Sequence, residues 1–268
     1  MVNVSYVCLI YKSTKWLKFV YEQFHKYTKL NEGDEFYFVA NDAYPEVLNY
    51  LNENTHIKHY IHENTEEQKK DWYINNVYRA WNKGGKLANG DYIIFLNSDM
   101  AFSKDWNIEL IKNIDNTKCI NSRLIERGPP NGLPTMVGGH GIEKSFGDNY
   151  DNYDEENFIQ FSNSIKKNEI IKNGLYMPMI IKKEHLEKIG YYPEGNITLE
   201  NFKELQNYSG DYNNFIYKYS TPLEVYRLGK TCVPGDKVLM FKLSKIGVEH
   251  YTCMNSIVYH FQQGEMSE

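Results

Sequence analysis

Strand and helix signals alternate at short intervals through the first half of the sequence. The run Val2–Ile10 is apolar on both alternating faces, which indicates a strand buried in a mainly parallel sheet. Further strands are expected at Glu35–Ala40, Ile57–Ile61 and Tyr92–Leu96, and helices after Ser13, at Pro45–Leu51, at Glu67–Leu87 and after Ser103. This alternation predicts an α/β fold in which helices flank a mixed, mainly parallel central sheet.

The second half of the sequence is less regular. From Gly128 to Phe161 the periodic patterns disappear, which predicts a long loop of the kind that often carries function. Regular structure is expected again as a strand at Gly174–Ile181, helices at Lys183–Ile189 and Lys237–Lys245, and strands at Val248–Met254 and Ile257–Phe261. No internal repeat or Gly/Ser linker divides the chain, so residues 1–268 are predicted to form a single domain.

Composition argues against several classes of protein. The net charge of −5 disfavours a strongly basic nucleic-acid-binding protein. No apolar run reaches the roughly 18 residues of a membrane span, so no transmembrane segment is expected. The first strand begins next to Met1, which leaves no space for a signal peptide. The four cysteines are far apart and form no C-x-x-C pair, which favours a reducing compartment and predicts a cytoplasmic protein.

Polar residues directly follow three of the expected strands. In an open parallel sheet, ligands bind beyond the carboxyl ends of the strands, where the loops converge. These positions are Tyr11 to Ser13 after the first strand, Asn41 and Asp42 after the second, and Asn97, Ser98 and Asp99 after the fourth. Asp99 follows a fully apolar strand, where an unpaired carboxylate is costly. Since Ser103 is expected to cap the next helix, Asp99 is predicted to bind a metal or ligand rather than to serve a turn.

The helix and strand that lead to Asp99 read AWNKGGKLANGDYIIFLNSDM from Ala80 to Met100. This segment resembles the GT-A glycosyltransferases of the family 2 type, in which such a helix and strand lead into an Asp-x-Asp-like metal motif. The opening VCLIY, the strand ending in VAND and the late VYH follow in the family's order, and the resemblance covers nearly the whole chain. It implies a GT-A (Rossmann-like) fold and inverting transfer of a sugar from a nucleotide diphosphate donor, first of all a UDP-sugar. The acceptor would be a hydroxyl of a glycan, a lipid-linked molecule or a protein.

The resemblance also implies a metal site. Asp99 takes the position of the last acid of the metal motif, and His260 matches a late histidine that completes the metal and phosphate shell. A carboxylate with one imidazole suits Mn²⁺ or Mg²⁺, and such a cation neutralises charge on a departing diphosphate. Asn97 stands where the family has its first acid. Asn97 and Ser98 are expected at the donor sugar, where an amide can bond a hydroxyl but adds no charge to the metal site.

Nucleotide binding is expected after the first two strands and on the long helix that follows. The resemblance implies that Asp42 accepts a hydrogen bond from the base imide, which favours uracil or thymine. Asn76, Arg79 and Lys83 are spaced i, i+3 and i+7 and so share one helix face. For Lys83 a solvated helix surface is an equally good interpretation. The expected nucleotide-binding residues are Ile10, Tyr11, Asp42, Asn76 and Arg79.

The family places its catalytic base at the start of a late helix, and Asp236 takes this position. Inverting transfer needs one carboxylate to accept the proton of the acceptor hydroxyl. Asp236 would also be a good helix cap after Pro234 and Gly235, and backbone hydrogen bonds are expected to keep its pKa low. Asp211 and Glu200 are possible substitutes as the base.

Two other functions stay open at the level of the sequence. A sugar nucleotidyltransferase would share the fold, but that class presents a Gly-rich, Lys-containing loop after its first strand, and residues 11–14 contain no glycine. A non-catalytic nucleotide- or sugar-binding module would bind without chemistry. For the preferred function, residues 1–125 are expected to bind the nucleotide sugar and residues 126–268 to bind the acceptor and carry catalysis. Residues 128–161 would close over the donor and exclude water.

Overall fold

Ten strands form one mixed sheet in the computed structural model of this chain, which describes residues 2–128, 139–197, 234–262 and 264–267. The strands are β1 (Val4–Ile10), β2 (Glu35–Asn41), β3 (His59–His62), β4 (Tyr92–Leu96), β5 (Met100–Phe102), β6 (Lys118–Glu126), β7 (Ile142–Glu143), β8 (Ile170–Lys172), β9 (Met179–Lys182) and β10 (Glu249–His260). The helices are α1 (Thr14–Tyr27), α2 (Pro45–Glu53), α3 (Ile74–Leu87), α4 (Trp106–Asn113), α5 (Glu155–Ile165), α6 (Lys183–Ile189) and α7 (Gly235–Lys245). Short 3₁₀ segments lie at Gln68–Lys70 and Gly264–Ser267.

The strand order brings the carboxyl ends of the main strands to one edge of the sheet. The order is β3-β2-β1-β4-β9-β6-β10-β5, with β7 beside β6 and β8 beside β10. Strands β1 to β4 are mutually parallel, β9 is antiparallel to both β4 and β6, and β6 is parallel to β10. Because β9 reverses the direction twice, β6 and β10 end where β1, β2 and β4 end. This edge is called the carboxyl edge below, and the predicted α/β fold class is confirmed.

Helices cover both faces of the sheet with apolar side chains. On one face, Phe24 of α1 and Trp106 of α4 are fully buried against the sheet. On the other face, Trp81 of α3 and Leu239 of α7 belong to a second cluster. A third cluster surrounds Phe158 of α5. None of the described helices is both long enough and apolar enough to cross a membrane.

Strand β4 and helix α6 have the bounds that the sequence predicts, whereas α3 begins later. It begins at Ile74 rather than at Glu67. The preceding residues form a separate turn, in which the Thr65 hydroxyl accepts the N–H of Gln68 at 3.2 Å and the Gln68 side chain accepts the N–H of Thr65 at 2.8 Å. These local side-chain bonds offer the backbone an alternative to the helix.

The second half of the chain differs more from the sequence prediction. Strand β9 begins at Met179 rather than at Gly174, because Pro178 has no N–H to donate to a strand ladder. Helix α5 occupies the end of the segment expected to be a loop, and β6 is not indicated by any sequence pattern. The two strands expected at the C-terminal end are one strand, β10, with a register shift between Cys253 and Ile257.

Gly84 lies where α3 approaches β1 and β2 closely. A Cβ atom at this position would lie 2.3 Å from Cγ1 of Val7 and 3.0 Å from Cγ2 of Val39. The carbonyl oxygen of Gly84 also accepts a hydrogen bond from the Tyr37 hydroxyl at 2.9 Å. The packing of the helix on the sheet therefore requires glycine at a helical position that would otherwise favour other residues.

Replacing Gly84 with alanine is expected to lower the free energy of unfolding by about 1 to 3 kcal/mol. The reason is that overpacking against Val7 outweighs the gain in helix propensity, which is about 1 kcal/mol. Urea denaturation measures the difference. The matched control is Lys83→Ala at the exposed neighbouring position, which should change stability by less than about 0.5 kcal/mol. A Gly84→Ala protein as stable as the wild type would contradict this close packing.

Candidate functional site

The side chains of Asp99, His260 and Glu126 lie together at the carboxyl edge. Glu126 and His260 are the last residues of β6 and β10 and lie opposite each other in the ladder. Nε2 of His260 is 3.4 Å from Oδ1 of Asp99, and its Nδ1 is 3.1 Å from Oε2 of Glu126. The structure thus brings together the two residues predicted to bind the metal. It adds a carboxylate, Glu126, that the sequence does not indicate, since β6 itself carries no clear strand pattern.

Opposite charges stabilise this cluster although it is largely buried. Asp99 and Glu126 are each only 7% exposed. Burial alone would raise the pKa of Asp99, but the charge and hydrogen bond of His260 and the N–H of Gly264 hold it below its ordinary value. Burial alone would lower the pKa of His260, but Asp99 and Glu126 together raise it well above the ordinary value. The two carboxylates therefore favour the charged, doubly protonated ring of His260, whose positive charge offsets one of their two negative charges.

The donor set fits a divalent cation. A carboxylate oxygen beside an imidazole nitrogen suits Mn²⁺ or Mg²⁺. Nδ1 of His260 faces Glu126, as when a carboxylate orients a metal-binding histidine, and this leaves Nε2 directed at Asp99. The described residues contain no group of three or more His, Cys, Asp or Glu side chains that could hold a metal ion. Asp99 and His260 would therefore supply two ligands, and substrate and water the others.

The expectation that Ser103 caps α4 is wrong. The residue before α4 is Asp105, whose side chain makes no capping hydrogen bond. The Ser103 hydroxyl is buried, with no hydrogen-bond partner among the described residues. The argument that Asp99 is left for ligand binding because Ser103 caps the next helix is therefore not valid. What supports Asp99 as a ligand-binding residue is the direct contact of its carboxylate with His260 and Gly264.

Asp42 and two tyrosines form the part of the edge where β1 and β2 end. Both oxygens of Asp42 accept hydrogen bonds from Asn64, one from its backbone N–H at 2.8 Å and one from its side chain at 2.6 Å. The rings of Tyr11 and Tyr44 meet edge to face at 5.4 Å, and Tyr44 is 49% exposed. Ile10, by contrast, is fully buried. Tyr44 was not predicted, although an aromatic residue directly before the Pro45 helix start is a signal that could have been used.

Arg79 is buried and already forms an ion pair, so its guanidinium is not an exposed cation on the surface of α3. It is 4% exposed and forms an ion pair with Asp71. Its Nη1 donates to the Gln68 carbonyl at 3.2 Å and to Oδ1 of Asn76 at 2.9 Å. Lys83, one turn farther along α3, is exposed. Asn76 and Arg79 are therefore linked to each other, and their contact with a nucleotide stays a prediction.

Asp236 lies in the first turn of α7 and is half-buried. Its Oδ1 accepts the N–H of Lys237 at 2.7 Å, and its own N–H donates to the Tyr78 hydroxyl at 3.3 Å. Burial outweighs these hydrogen bonds and raises the pKa of Asp236 to about 6. The expectation of a low pKa is therefore wrong, and so is that of a helix cap, because Pro234 takes the cap position. The alternative bases Asp211 and Glu200 lie outside the described residues.

The carboxylate of Glu265 lies in the same edge, close to Asp99. It accepts the backbone N–H groups of Tyr11, Lys12 and Ser13 at 3.1, 3.1 and 2.9 Å and the Ser98 hydroxyl at 2.9 Å. Burial raises the pKa of Glu265 to about 7. Ser98 is thus engaged by a protein carboxylate, while Asn97 beside it is half-buried. No sequence pattern predicts Glu265, because the polar C-terminal residues show no periodicity.

Comparison with known proteins gives one matching family and several solved structures that share one fold. The model of the family described as glycosyl transferase family 2 matches residues 41–189. The solved structure of GalNAc-T7 with UDP, GalNAc and Mn²⁺ aligns with a TM-score of 0.57 and 15% identity, over 97% of this chain and 44% of that one. Residues 1–349 of S. aureus TarS align with a TM-score of 0.53 and 11% identity, over 96% of this chain and 60% of that one. The same TarS region in complex with UDP gives a TM-score of 0.52 at 13% identity, again over 96% of this chain. Among curated proteins, no sequence matches the chain.

These likenesses confirm the predicted GT-A fold. The chain spans 44% to 60% of the length of the solved structures that it matches.

Replacing Glu126 with glutamine is expected to lower the pKa of His260 in the metal-free protein, because one of the two carboxylates that stabilise the imidazolium loses its charge. An NMR titration of the His260 ring proton measures the shift. The control is Glu143→Gln on the adjacent strand β7, which should leave that pKa unchanged. If His260 titrates at the same pH in Glu126→Gln and in the wild type, Glu126 does not orient it.

Proposed function

Because this chain belongs to glycosyl transferase family 2, we propose that it transfers a sugar from a UDP-sugar to a hydroxyl acceptor with inversion. The single observation that carries the proposal is the contact of Asp99 with His260 at the carboxyl edge, where a GT-A enzyme handles its donor diphosphate. The UDP and Mn²⁺ in the GalNAc-T7 structure support the same donor and cation class. The acceptor, whether glycan, lipid-linked molecule or protein, stays a prediction, as does a cytoplasmic location.

The uracil base would bind between Asp42 and the Tyr11–Tyr44 pair. Asn64 fixes both oxygens of Asp42, so the remaining lone pairs have a set direction toward a base imide N–H. The exposed ring of Tyr44 offers a face on which a base can stack. Ile10, Asn76 and Arg79 complete the predicted nucleotide-binding set, in which Ile10 supports the site from the core.

Asp99 and His260 would hold the divalent cation. A bound Mn²⁺ or Mg²⁺ offsets the negative charge that develops on the leaving diphosphate. With the cation bound, Glu126 would accept a hydrogen bond from Nδ1–H of His260 and so leave Nε2, on the side of Asp99, without a proton. Asn97 would donate and accept hydrogen bonds at the donor sugar; Ser98, which is also predicted there, already donates its hydroxyl to Glu265.

Asp236 would act as the general base. Helix α7 leads directly into β10 and packs on the sheet, so its first turn lies toward the edge where β10 ends. Above a pH of about 6 the carboxylate is ionised and can accept the proton of the acceptor hydroxyl. The acceptor oxygen would form its bond to the anomeric carbon while the bond to the diphosphate breaks on the opposite face. In this scheme residues 1–125 bind most of the donor, and residues 126–268 bind the acceptor and supply His260 to the metal site. Residues 129–138 of the proposed closing segment 128–161 lie outside the described residues.

Two alternative functions make different predictions for the same assay. A sugar nucleotidyltransferase would release pyrophosphate while forming a nucleotide sugar. A non-catalytic module would bind UDP and release nothing. Release of UDP from a UDP-sugar supports the proposed transfer over both.

Incubation with a panel of UDP-sugars and Mn²⁺ is expected to release UDP, and Asp99→Asn should reduce the rate at least about 100-fold, as for other losses of charge stabilisation in a transition state. The matched control is Asp115→Asn. Asp115 forms an ion pair with Lys118, the first residue of β6, and therefore lies at the edge of the sheet opposite to the carboxyl edge. Equal rates in Asp99→Asn and the wild type would contradict the assignment of Asp99.

Asp236→Asn is expected to abolish transfer while leaving the Kd for UDP within about twofold, because the base contacts the acceptor and not the nucleotide. In the wild type, kcat/KM should fall about tenfold per pH unit below pH 6, as Asp236 becomes protonated. A pH–rate profile and UDP titration check both points. A flat profile down to pH 5, or full transfer by Asp236→Asn, would assign the base to another residue.

A further inference from the structure

Three consecutive backbone N–H groups converge on one point at the start of α1. They belong to Tyr11, Lys12 and Ser13, and all three donate to the Glu265 carboxylate. The helix begins at the next residue, Thr14, so the positive end of its dipole points at the same place. Consecutive N–H groups in such a turn form a concave site that suits an anion.

Ser98 supplies a fourth hydrogen-bond donor to this site, and it directly precedes Asp99 in the chain. The Ser98 hydroxyl donates to Oε2 of Glu265 at 2.9 Å. The adjacent residue, Gly264, donates its N–H to Oδ2 of Asp99 at 3.0 Å. A Cβ atom on Gly264 would lie 2.3 Å from Cβ of Asp99, so the segment is pressed against that side chain. Residues 264 and 265 thus occupy both the N–H site and one oxygen of Asp99.

The site lies where a nucleoside diphosphate would have to pass. Tyr11 belongs both to this site and to the proposed base site beside Asp42, and Ser98 directly precedes Asp99. A diphosphate links the base end of a donor to the cation end, and it therefore runs between these two positions. Its phosphate oxygens are the chemical equivalents of a carboxylate toward N–H and hydroxyl donors. Two anions cannot occupy the same four donors.

We propose that the N–H groups of Tyr11 to Ser13 and the Ser98 hydroxyl bind a phosphate oxygen of the donor diphosphate, and that Glu265 fills this site until the donor displaces it. The inference rests on the proposed function for the identity of the ligand. Glu265 is 8% exposed, and all four of its donors are uncharged. A diphosphate brings more negative charge than one carboxylate to the same N–H groups and helix end, so it can displace the Glu265 side chain. The C-terminal residues then act as an intramolecular competitor of the nucleotide.

Removal of the competing side chain should tighten nucleotide binding. Isothermal titration in EDTA, which removes any contribution of a divalent cation, compares the wild type with Glu265→Ala for UDP and for inorganic pyrophosphate. We expect the Kd for UDP to fall at least about tenfold in Glu265→Ala, as when a competing closed state is removed. The matched control is Glu53→Ala, which removes an exposed glutamate at the end of α2 and should leave binding unchanged.

Hydrogen exchange at Tyr11, Lys12 and Ser13 reports on the site directly. Their amides should exchange faster in Glu265→Ala than in the wild type, and UDP should restore the protection. This readout also identifies a folded variant, because the amides of β1 should stay protected in both proteins.

The outcomes separate this proposal from the proposed function. UDP affinity in Glu265→Ala that is equal to or weaker than in the wild type overturns the competition, even if the enzyme transfers sugar normally. Pyrophosphate binding that appears only in Glu265→Ala, with no preference for UDP, supports the anion site and contradicts the nucleotide-sugar function. If neither ligand binds Glu265→Ala, the anion site itself is wrong.

Discussion

The ring of His260 lies between the two buried carboxylates of Asp99 and Glu126, and this pairing of opposite charges organises the carboxyl edge. Asp99 and Glu126 are almost inaccessible to water, so each needs a cation or a donor nearby. The strand order supplies that arrangement, because the double reversal through β9 brings the ends of β4, β6 and β10 together. A divalent cation in place of the proton on Nε2 would add one positive charge and offset both carboxylates, which connects the electrostatics of the fold with the chemistry proposed for it.

The regular elements of the fold could be predicted where one physical signal dominates. Strand β4 has five buried apolar residues in a row, and α6 ends at Gly190 in the left-handed conformation, so both bounds follow from the sequence. Strand β6 could not be predicted in the same way, because buried Asn121 and Ser122 interrupt its apolar pattern. The Ser122 hydroxyl pairs with that of Ser256 at 2.7 Å on β10, and only the folded sheet brings the two strands together.

The candidate site was predictable in part. Asp99 and His260 were expected from a resemblance, and the structure brings them within 3.4 Å. Glu126 and Glu265 could not be expected, since their importance comes from neighbours more than one hundred residues away in sequence. The raised pKa of Asp236 shows the same limit, because desolvation by the surrounding fold outweighs the local backbone hydrogen bond that the sequence suggests.

The central claim is that Asp99 and His260 hold a divalent cation that faces the diphosphate of a nucleotide sugar. Anomalous diffraction at the manganese edge, from crystals grown with Mn²⁺ and UDP, tests it most directly. The account predicts one strong peak within about 2.5 Å of a carboxylate oxygen of Asp99 and of Nε2 of His260, with phosphate oxygens beside it. A peak bound by other side chains, or UDP bound with these two residues still paired to each other, would contradict it.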